Sequence, residues 1–235
     1  MTPPYGFPGP DLPEGLSDRH ITRFVLGEDM LRTLMPMGIR RSWRSGDLLA
    51  SYGQRMEHVS VCLSGQYKVL LTSIDGQHHF MRLITEGELF GVPSALAGTP
   101  FPTDIVCEEP GETLVIPRHN LLDMLRKEPD LALGVIKSLA TRVTEMFDVM
   151  EADLLPSLRA RVYKRLQRLA QFNGRADRQG HIELPLTQQD IAQSLNASRP
   201  RVQQELKRLE REGLIRLGYR RITLLQANSA ASAGR

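Results

Sequence analysis

Cysteine is almost missing from this chain: of 235 residues, only Cys62 and Cys107 carry a thiol. Two cysteines cannot build a disulfide framework or a four-ligand zinc or iron–sulfur site. Both sit in apolar runs, Val61-Cys62-Leu63 and Val106-Cys107, the setting of buried thiols in a cytoplasmic protein. Long apolar runs are missing too. No stretch reaches the roughly eighteen apolar residues that mark a membrane-spanning helix, so no membrane partner is expected. The first residues, MTPPYGFPGP, have neither the basic start nor the apolar stretch of a secretory signal. They open a proline-rich arm, expected to be flexible over residues 1–19. A disordered tail is expected over 227–235. The last shortage is local: no lysine or arginine occurs between Arg82 and Arg118.

What is present is unevenly placed. A hydrophobic content of 41% with 24% charged residues fits a soluble globular protein. The net charge of +3 hides a division. Residues 1–156 hold 14 Lys+Arg against 21 Asp+Glu, a balance of −7, and residues 157–221 hold 15 against 6, a balance of +9. An acidic front and a basic back imply two parts with different partners. The basic part has the footprint of a polyanion binder.

From Ile39 to Ile116 short β-rich runs alternate with glycine turns. Asp47–Tyr52 is the first clear strand. His58–Leu63 and Gly65–Leu71 flank a turn at Ser64-Gly65, and Asp75-Gly76 closes the next hairpin before Phe80–Ile84 returns. Gly87 follows, with a loop to Thr103, and then strands over Asp104–Glu108 and Thr113–Ile116. Strands at this spacing indicate a sandwich or barrel-like roll, whose interior is either all core or a site for one ligand. The texture then changes. Asn120–Arg126 is a short helix, and Pro129 begins a longer one. On it Ile136, Val143 and Met150 recur at seven residues, with Leu139 and Met146 three after the first two. This is an a/d seam of about two heptads, suited to a parallel helix pair across a homodimer. Packing on the helix's own roll is the alternative. Leu155-Pro156-Ser157 ends it, with Ser157 as N-cap of the next helix.

The basic third carries a helix start at Thr187, an N-cap with an acid at Asp190, and inward positions Ile191, Ala192 and Leu195. Asn196-Ala197-Ser198 is a three-residue turn, in which Asn tolerates a left-handed backbone. Ser198 caps a second helix with Val202, Leu206 and Leu209 inward. This is a helix-turn-helix, whose second helix enters the DNA major groove. Two short β runs around Gly218 then form a wing. Arg199, Gln203 and Gln204 are the expected base readers, because Arg bridges guanine O6 and N7 and Gln bridges adenine N6 and N7. Arg201, Lys207, Arg220 and Arg221 are expected on phosphate, and Thr187, Gln188 and Ser198 complete the DNA-facing set.

The local motifs Ser45-Gly-Asp47, Leu63-Ser-Gly65, Gly87-Glu-Leu-Phe-Gly91, Val115-Ile-Pro-Arg118 and Leu186-Thr-Gln-Gln-Asp-Ile-Ala192, running into Ser198-Arg-Pro-Arg-Val202, occur in this order. Over roughly residues 20–225 the chain resembles the CRP/FNR family of bacterial transcription regulators. The resemblance implies an α+β fold. It would have an N-terminal antiparallel, jelly-roll-like β roll (20–128), a long dimerisation helix (129–155) and a C-terminal winged helix-turn-helix (156–226). It also implies a homodimer on double-stranded DNA with a palindromic operator, and it leaves RNA polymerase open as a second partner. Arg199 keeps the family's usual arginine. Pro200 stands for its frequent glutamate, Gln204 for its frequent arginine, and Glu205 for a common apolar residue, so the usual target sequence does not carry over.

In nucleotide-binding members of the family, the loop after the Phe-Gly pair supplies a glutamate to the ribose and, about ten residues on, an Arg-Ser pair to the cyclic phosphate. Aligned from Gly91, Val92 takes the glutamate position, and Phe101 and Pro102 take the Arg-Ser positions. A buried phosphate needs a cation and donors, so cyclic AMP is not expected to bind in the usual mode. Gly91, Val92, Leu96, Phe101, Pro102 and Thr103 remain the candidate effector pocket for a neutral or apolar ligand. Alternatively they are core. Haem-sensing relatives use His, Cys or an N-terminal Pro, so His58, His78, His79 and the proline-rich arm keep haem open, although a His beside a turn is more often solvated. The competing reading is a cyclic-nucleotide-responsive enzyme regulator or a cupin-type enzyme built on the roll. A cupin needs about three His plus a carboxylate on one interior. Adjacent His78 and His79 face opposite sides of a strand, and the basic C-terminal part has no role in such an enzyme.

Overall fold

The computed structural model of the protein describes residues 25–225, apart from 74, 75, 154, 156, 174 and 178. The expected arm over 1–19, the tail over 227–235, Asp75 of the hairpin turn and Pro156 lie outside the described residues. The first domain opens with α1 (Glu28–Leu34) and a short 3₁₀ turn. Eight strands follow: β1 (Ile39–Trp43), β2 (Leu48–Ala50), β3 (His58–Cys62), β4 (Gln66–Thr72), β5 (His78–Ile84), β6 (Leu89–Phe90), β7 (Asp104–Glu109) and β8 (Gly111–Pro117). They form two antiparallel sheets, ordered β1-β8-β3-β6 and β2-β7-β4-β5.

Residue alternation explains how the layers stack. On β3, Cys62 points between the sheets with Trp43, Tyr67, Phe90 and Ile105. Val59 and Val61 point to the outer face, where α1, α3 (Arg118–Lys127) and α4 (Pro129–Asp153) cover them with Leu34, Leu121, Leu131 and Val135. β3 is therefore buried on both faces from Val59 to Cys62, Ser60 included. The one tryptophan keeps its indole satisfied: Trp43 Nε1 donates to Thr113 Oγ1 at 2.9 Å. At the Ser64-Gly65 turn, Gly65 has φ +81°, and a Cβ there would lie 2.7 Å from the Glu109 carbonyl oxygen. Only glycine fits that approach.

Two features differ from the sequence expectation. Ile39–Trp43 is a strand that precedes the first one expected. The stretch after Gly87, expected as a loop, contains β6 and a six-residue helix, α2 (Val92–Ala97). Its signals are compressed into turn residues. Gly91 (φ +84°) precedes it, Pro93 lies in its first turn, and Gly98 (φ +67°) ends it, so glycine and proline punctuation conceals a helix.

The second domain is α5 (Leu158–Asn173), β9 (Arg175–Ala176), β10 (Ile182–Leu184), α6 (Gln188–Ser194), α7 (Arg199–Arg211), β11 (Ile215–Gly218) and β12 (Arg221–Leu224). Ser157 Oγ accepts from the Ala160 amide at 3.2 Å, the cap expected at the start of α5. Val162, Leu166, Ile191, Leu195, Val202, Leu206, Leu209 and Ile222 make one core under the three helices and the sheet β11-β12-β10-β9. Phe80 and Leu83 of β5, an edge strand of the roll, are buried in that same core. Arg165 of α5 donates to the Phe80 and Met81 carbonyl oxygens at 3.3 and 2.6 Å. The second domain therefore rests against the free edge of the roll, and exposed strand edges need such cover.

Candidate nucleic-acid interface

The two helices of the basic third form as their sequence directs. At α6, Thr187 and Asp190 make the reciprocal capping box: the Asp190 amide donates to Thr187 Oγ1 at 3.1 Å, and the Thr187 amide donates to Asp190 Oδ2 at 2.8 Å. Asn196 is left-handed (φ +49°) in the turn. Buried Ala192 gives the close crossing of α6 and α7. Ser198 occupies the N-cap position of α7, but contrary to expectation its side chain makes no cap hydrogen bond. Pro200 at the second helical position has no N–H, which leaves the Arg201 amide as the one remaining partner for an N-cap oxygen, and Ser198 does not use it.

With Val202, Leu206 and Leu209 buried, α7 turns Arg199, Arg201, Gln204 and Lys207 fully outward, while Gln203 is half-buried. Glu205, which replaces an apolar residue of the family pattern, is neutralised along the helix by Arg208 at 3.1 Å. The wing hairpin turns at Tyr219-Arg220, one residue later than the expected Gly218, and Arg220 is left-handed (φ +51°). Between α6, α7 and the wing lies a cleft of about 450 Å³, lined by Thr187, Gln188, Arg199, Gln203, Arg220 and Arg221. Six of the ten expected DNA-facing residues thus converge on one concave surface. Ser198, Arg201, Gln204 and Lys207 lie outside the cleft, exposed on or at the head of α7. Sequence reasoning missed Tyr219, which is 90% exposed at the wing tip, and Gln189, which lines the cleft. An aromatic at a hairpin tip was the available signal. Arg221 pairs with Glu183 at 3.5 Å, and Arg220 pairs with Glu108 of the roll.

The expected effector residues do not converge in the same way. Val92 packs into the outer core beside Val135, whereas Phe101 packs into the inner core beside Tyr67 and Ile105. The Phe101 ring lies 3.6 Å from where a Cβ on Gly91 would stand, so it covers the glycine. Leu96 and Thr103 are half-buried, and Pro102 is exposed. The two cations that bracket this stretch in sequence are both engaged. Arg82 is bonded to buried Glu88, which also meets Arg142 at 3.4 Å, and Arg118 donates to the Ala95 carbonyl oxygen at 2.5 Å. The three histidines named for haem are dispersed. His78 is hydrogen-bonded to Thr72 at 3.1 Å, and His79 meets the Gln193 carbonyl oxygen at 3.2 Å. His58 lies at the start of β3, where burial and then the Arg41 charge hold its pKa below the ordinary value.

Helix α4 carries two apolar stripes. Leu131 and Val135 are buried against the roll, and Leu139, expected in the seam, is half-buried and packs against that same core. Ile136, Val143, Met146 and Met150 of the expected seam, with Phe147, are each more than half exposed. The difference at Leu139 follows from helix geometry: its position lies four residues after Val135, on the roll-facing stripe. No helix among the described residues is long and apolar enough to cross a membrane.

A winged helix-turn-helix joined by a long helix to a β roll defines a class of DNA-binding transcription regulators. Residues 40–128 match the cyclic nucleotide-binding domain, and residues 160–229 match the Crp-like helix-turn-helix domain. The chain is 30% identical over 182 residues to the cyclic AMP receptor protein of Thermus thermophilus, covering 76% of this chain and 80% of that one. It is 22% identical over 207 residues to the CRP-like cAMP-activated global transcriptional regulator of Mycobacterium tuberculosis, covering 88% and 91%. This protein belongs to the CRP/FNR family of transcription regulators, and it is not an enzyme. Two solved structures share its fold. One is a CRP/FNR-family regulator from Thermus thermophilus (TM-score 0.62, 20% identity, 80% of this chain and 94% of that one). The other is the c-di-GMP responsive global regulator CLP of Xanthomonas campestris (TM-score 0.70, 14% identity, 84% and 98%).

Proposed function

We propose that the protein acts as a homodimer on a palindromic operator and that its roll does not take cyclic AMP in the family's usual mode. The observation that carries the dimer is the second stripe of α4. Five large apolar side chains, Ile136, Val143, Met146, Phe147 and Met150, stand in solvent along one helix. Fully burying such a side chain is worth about 1.5–3 kcal/mol, and an unpartnered apolar stripe on a long helix fits a second copy of the same helix. A two-fold pair is self-complementary, and it sets two recognition helices about 34 Å apart, one helical turn of DNA. Arg199, Gln203 and Gln204 then read each half-site, while Arg201, Lys207, Arg220 and Arg221 hold phosphate.

The cyclic-nucleotide reading is disfavoured by chemistry. The loop between Arg82 and Arg118 supplies no cation. Phe101, at the position of the family's arginine, covers Gly91 and joins the inner core. A cyclic phosphate there would lose its hydration without a charged partner. The relatives' own names span cyclic AMP, c-di-GMP and nitrogen regulation, so one fold serves different signals. The direct test of the dimer is sedimentation of the doubly substituted Val143→Asp/Met146→Asp chain. It should run as a folded monomer that no longer binds operator DNA; a double variant that remained dimeric would refute the interface.

A further inference from the structure

Four charged side chains join the roll to the helix-turn-helix. Lys68 Nζ on β4 lies 2.8 Å from Asp190 Oδ1 and 3.1 Å from Glu108 Oε2. Glu108, on β7, also bonds Arg220 at the wing tip, 112 residues away in sequence. Asp190 divides its two oxygens. Oδ2 serves the capping box of α6, and Oδ1 serves Lys68. The network therefore ties the first turn of α6 and the tip of the wing to the same two strands of the roll.

The charge balance gives this arrangement a consequence. Two carboxylates and two cations make a neutral group only while Arg220 is docked. If Arg220 leaves for a DNA phosphate, Lys68 alone faces Glu108 and Asp190, and one negative charge remains next to the incoming polyanion. We infer that Glu108 is an intramolecular stand-in for DNA phosphate: it competes for Arg220 and lowers DNA affinity until the wing detaches from the roll. This rests on Arg220 being a phosphate contact. Glu108 presents a carboxylate to a guanidinium, the same charge-assisted pairing that a phosphate oxygen would offer. Arg220 is largely exposed, so the pair is a weak latch that effector binding or DNA itself can open.

The test is a four-protein cycle on the full chain: wild type, Glu108→Gln, Arg220→Ala and the double variant, measured by fluorescence anisotropy on one DNA at several fixed salt concentrations. Gln keeps the shape of the side chain and leaves the Lys68–Asp190 pair in place. Glu108→Gln should tighten DNA binding by about two- to fivefold, the range of an exposed ion pair, and should do so only when Arg220 is present. An equal gain in the Arg220→Ala background would overturn the latch, because it would report only the removal of a negative charge. No gain in the wild-type background would overturn it as well. The underlying phosphate contact is checked separately. Adding Arg220→Ala to Glu108→Gln should weaken binding and reduce the salt slope by about one unit, and an unchanged slope would remove the contact on which the latch depends.

Discussion

Replacement of Asp190 should weaken the DNA-reading unit at the point where it meets the roll. Asp190 is 3% exposed and makes three contacts: it accepts from the Thr187 amide at 2.8 Å, from the Thr187 hydroxyl at 2.7 Å and from Lys68 Nζ at 2.8 Å. Asp190→Ala removes the carboxylate half of a capping box, worth about 0.5–2 kcal/mol. It also removes a charge-assisted bond to Lys68, worth about 1.5–3 kcal/mol. Lys68 keeps Glu108 at 3.1 Å, so no ammonium is stranded and the larger cost of an unpaired buried charge does not arise. The expected loss is roughly 2–5 kcal/mol, which for a chain of this size lowers Tm by roughly 4–20 °C. Asp190→Asn retains an acceptor for the Thr187 amide but no charge for Lys68, so its Tm should fall between the two. Scanning calorimetry of the three proteins at pH 7 measures this. An Ala variant within about 1 °C of wild type would refute the role given to this network.

Three further outcomes follow from named side chains. Arg199→Ala should lose about 1–3 kcal/mol of discrimination at one base pair of each half-site; binding to operator and scrambled DNA in the wild-type ratio would refute its placement as a reader. Lys207→Ala should weaken binding to all sequences alike and flatten the salt slope by about one unit, so a sequence-dependent loss would contradict its phosphate role. Burial, with Glu88 and Glu86 adding to it, pushes the Cys62 thiol up to about 12 from 9.0. The folded chain then holds a proton that the unfolded chain releases, so this contribution to stability is whole below pH 9 and is lost as pH rises toward 12. Native protein at about pH 8 should resist iodoacetamide at Cys62 and react only in denaturant. Fast labelling of the native state would contradict the burial argument.

Much of this architecture is legible in the sequence because local chemistry and tertiary structure agree there. The Thr187/Asp190 box, left-handed Asn196 and the Val202-Leu206-Leu209 stripe are each dictated within a few residues. Legibility fails where one residue serves two constraints. Ser198 has the identity of a cap but lacks a full set of amides because of Pro200. Leu139 fits the heptad seam and also the four-residue spacing from Val135, and the roll claims it. Helix α2 is hidden because a six-residue helix bounded by Gly91 and Gly98 has hardly more helical residues than turn residues. The interdomain network is invisible in sequence, since Lys68 and Asp190 lie 122 positions apart and each has an ordinary local role. The candidate effector residues follow one another along one stretch of sequence, but α2 and the strand after it send Val92 and Phe101 to different cores.

Whether the roll still answers to a cyclic nucleotide is read most directly from the affinity of the purified full chain for DNA from upstream of its own gene, by fluorescence anisotropy at fixed salt, with and without cyclic AMP. Tight, sequence-specific binding that the nucleotide does not change is expected, because Val92, Phe101 and Pro102 stand where a nucleotide site needs an acid, a cation and a hydroxyl. Binding that appears only with cyclic AMP would contradict this expectation, and would mean that a cation from elsewhere rebuilds the phosphate site.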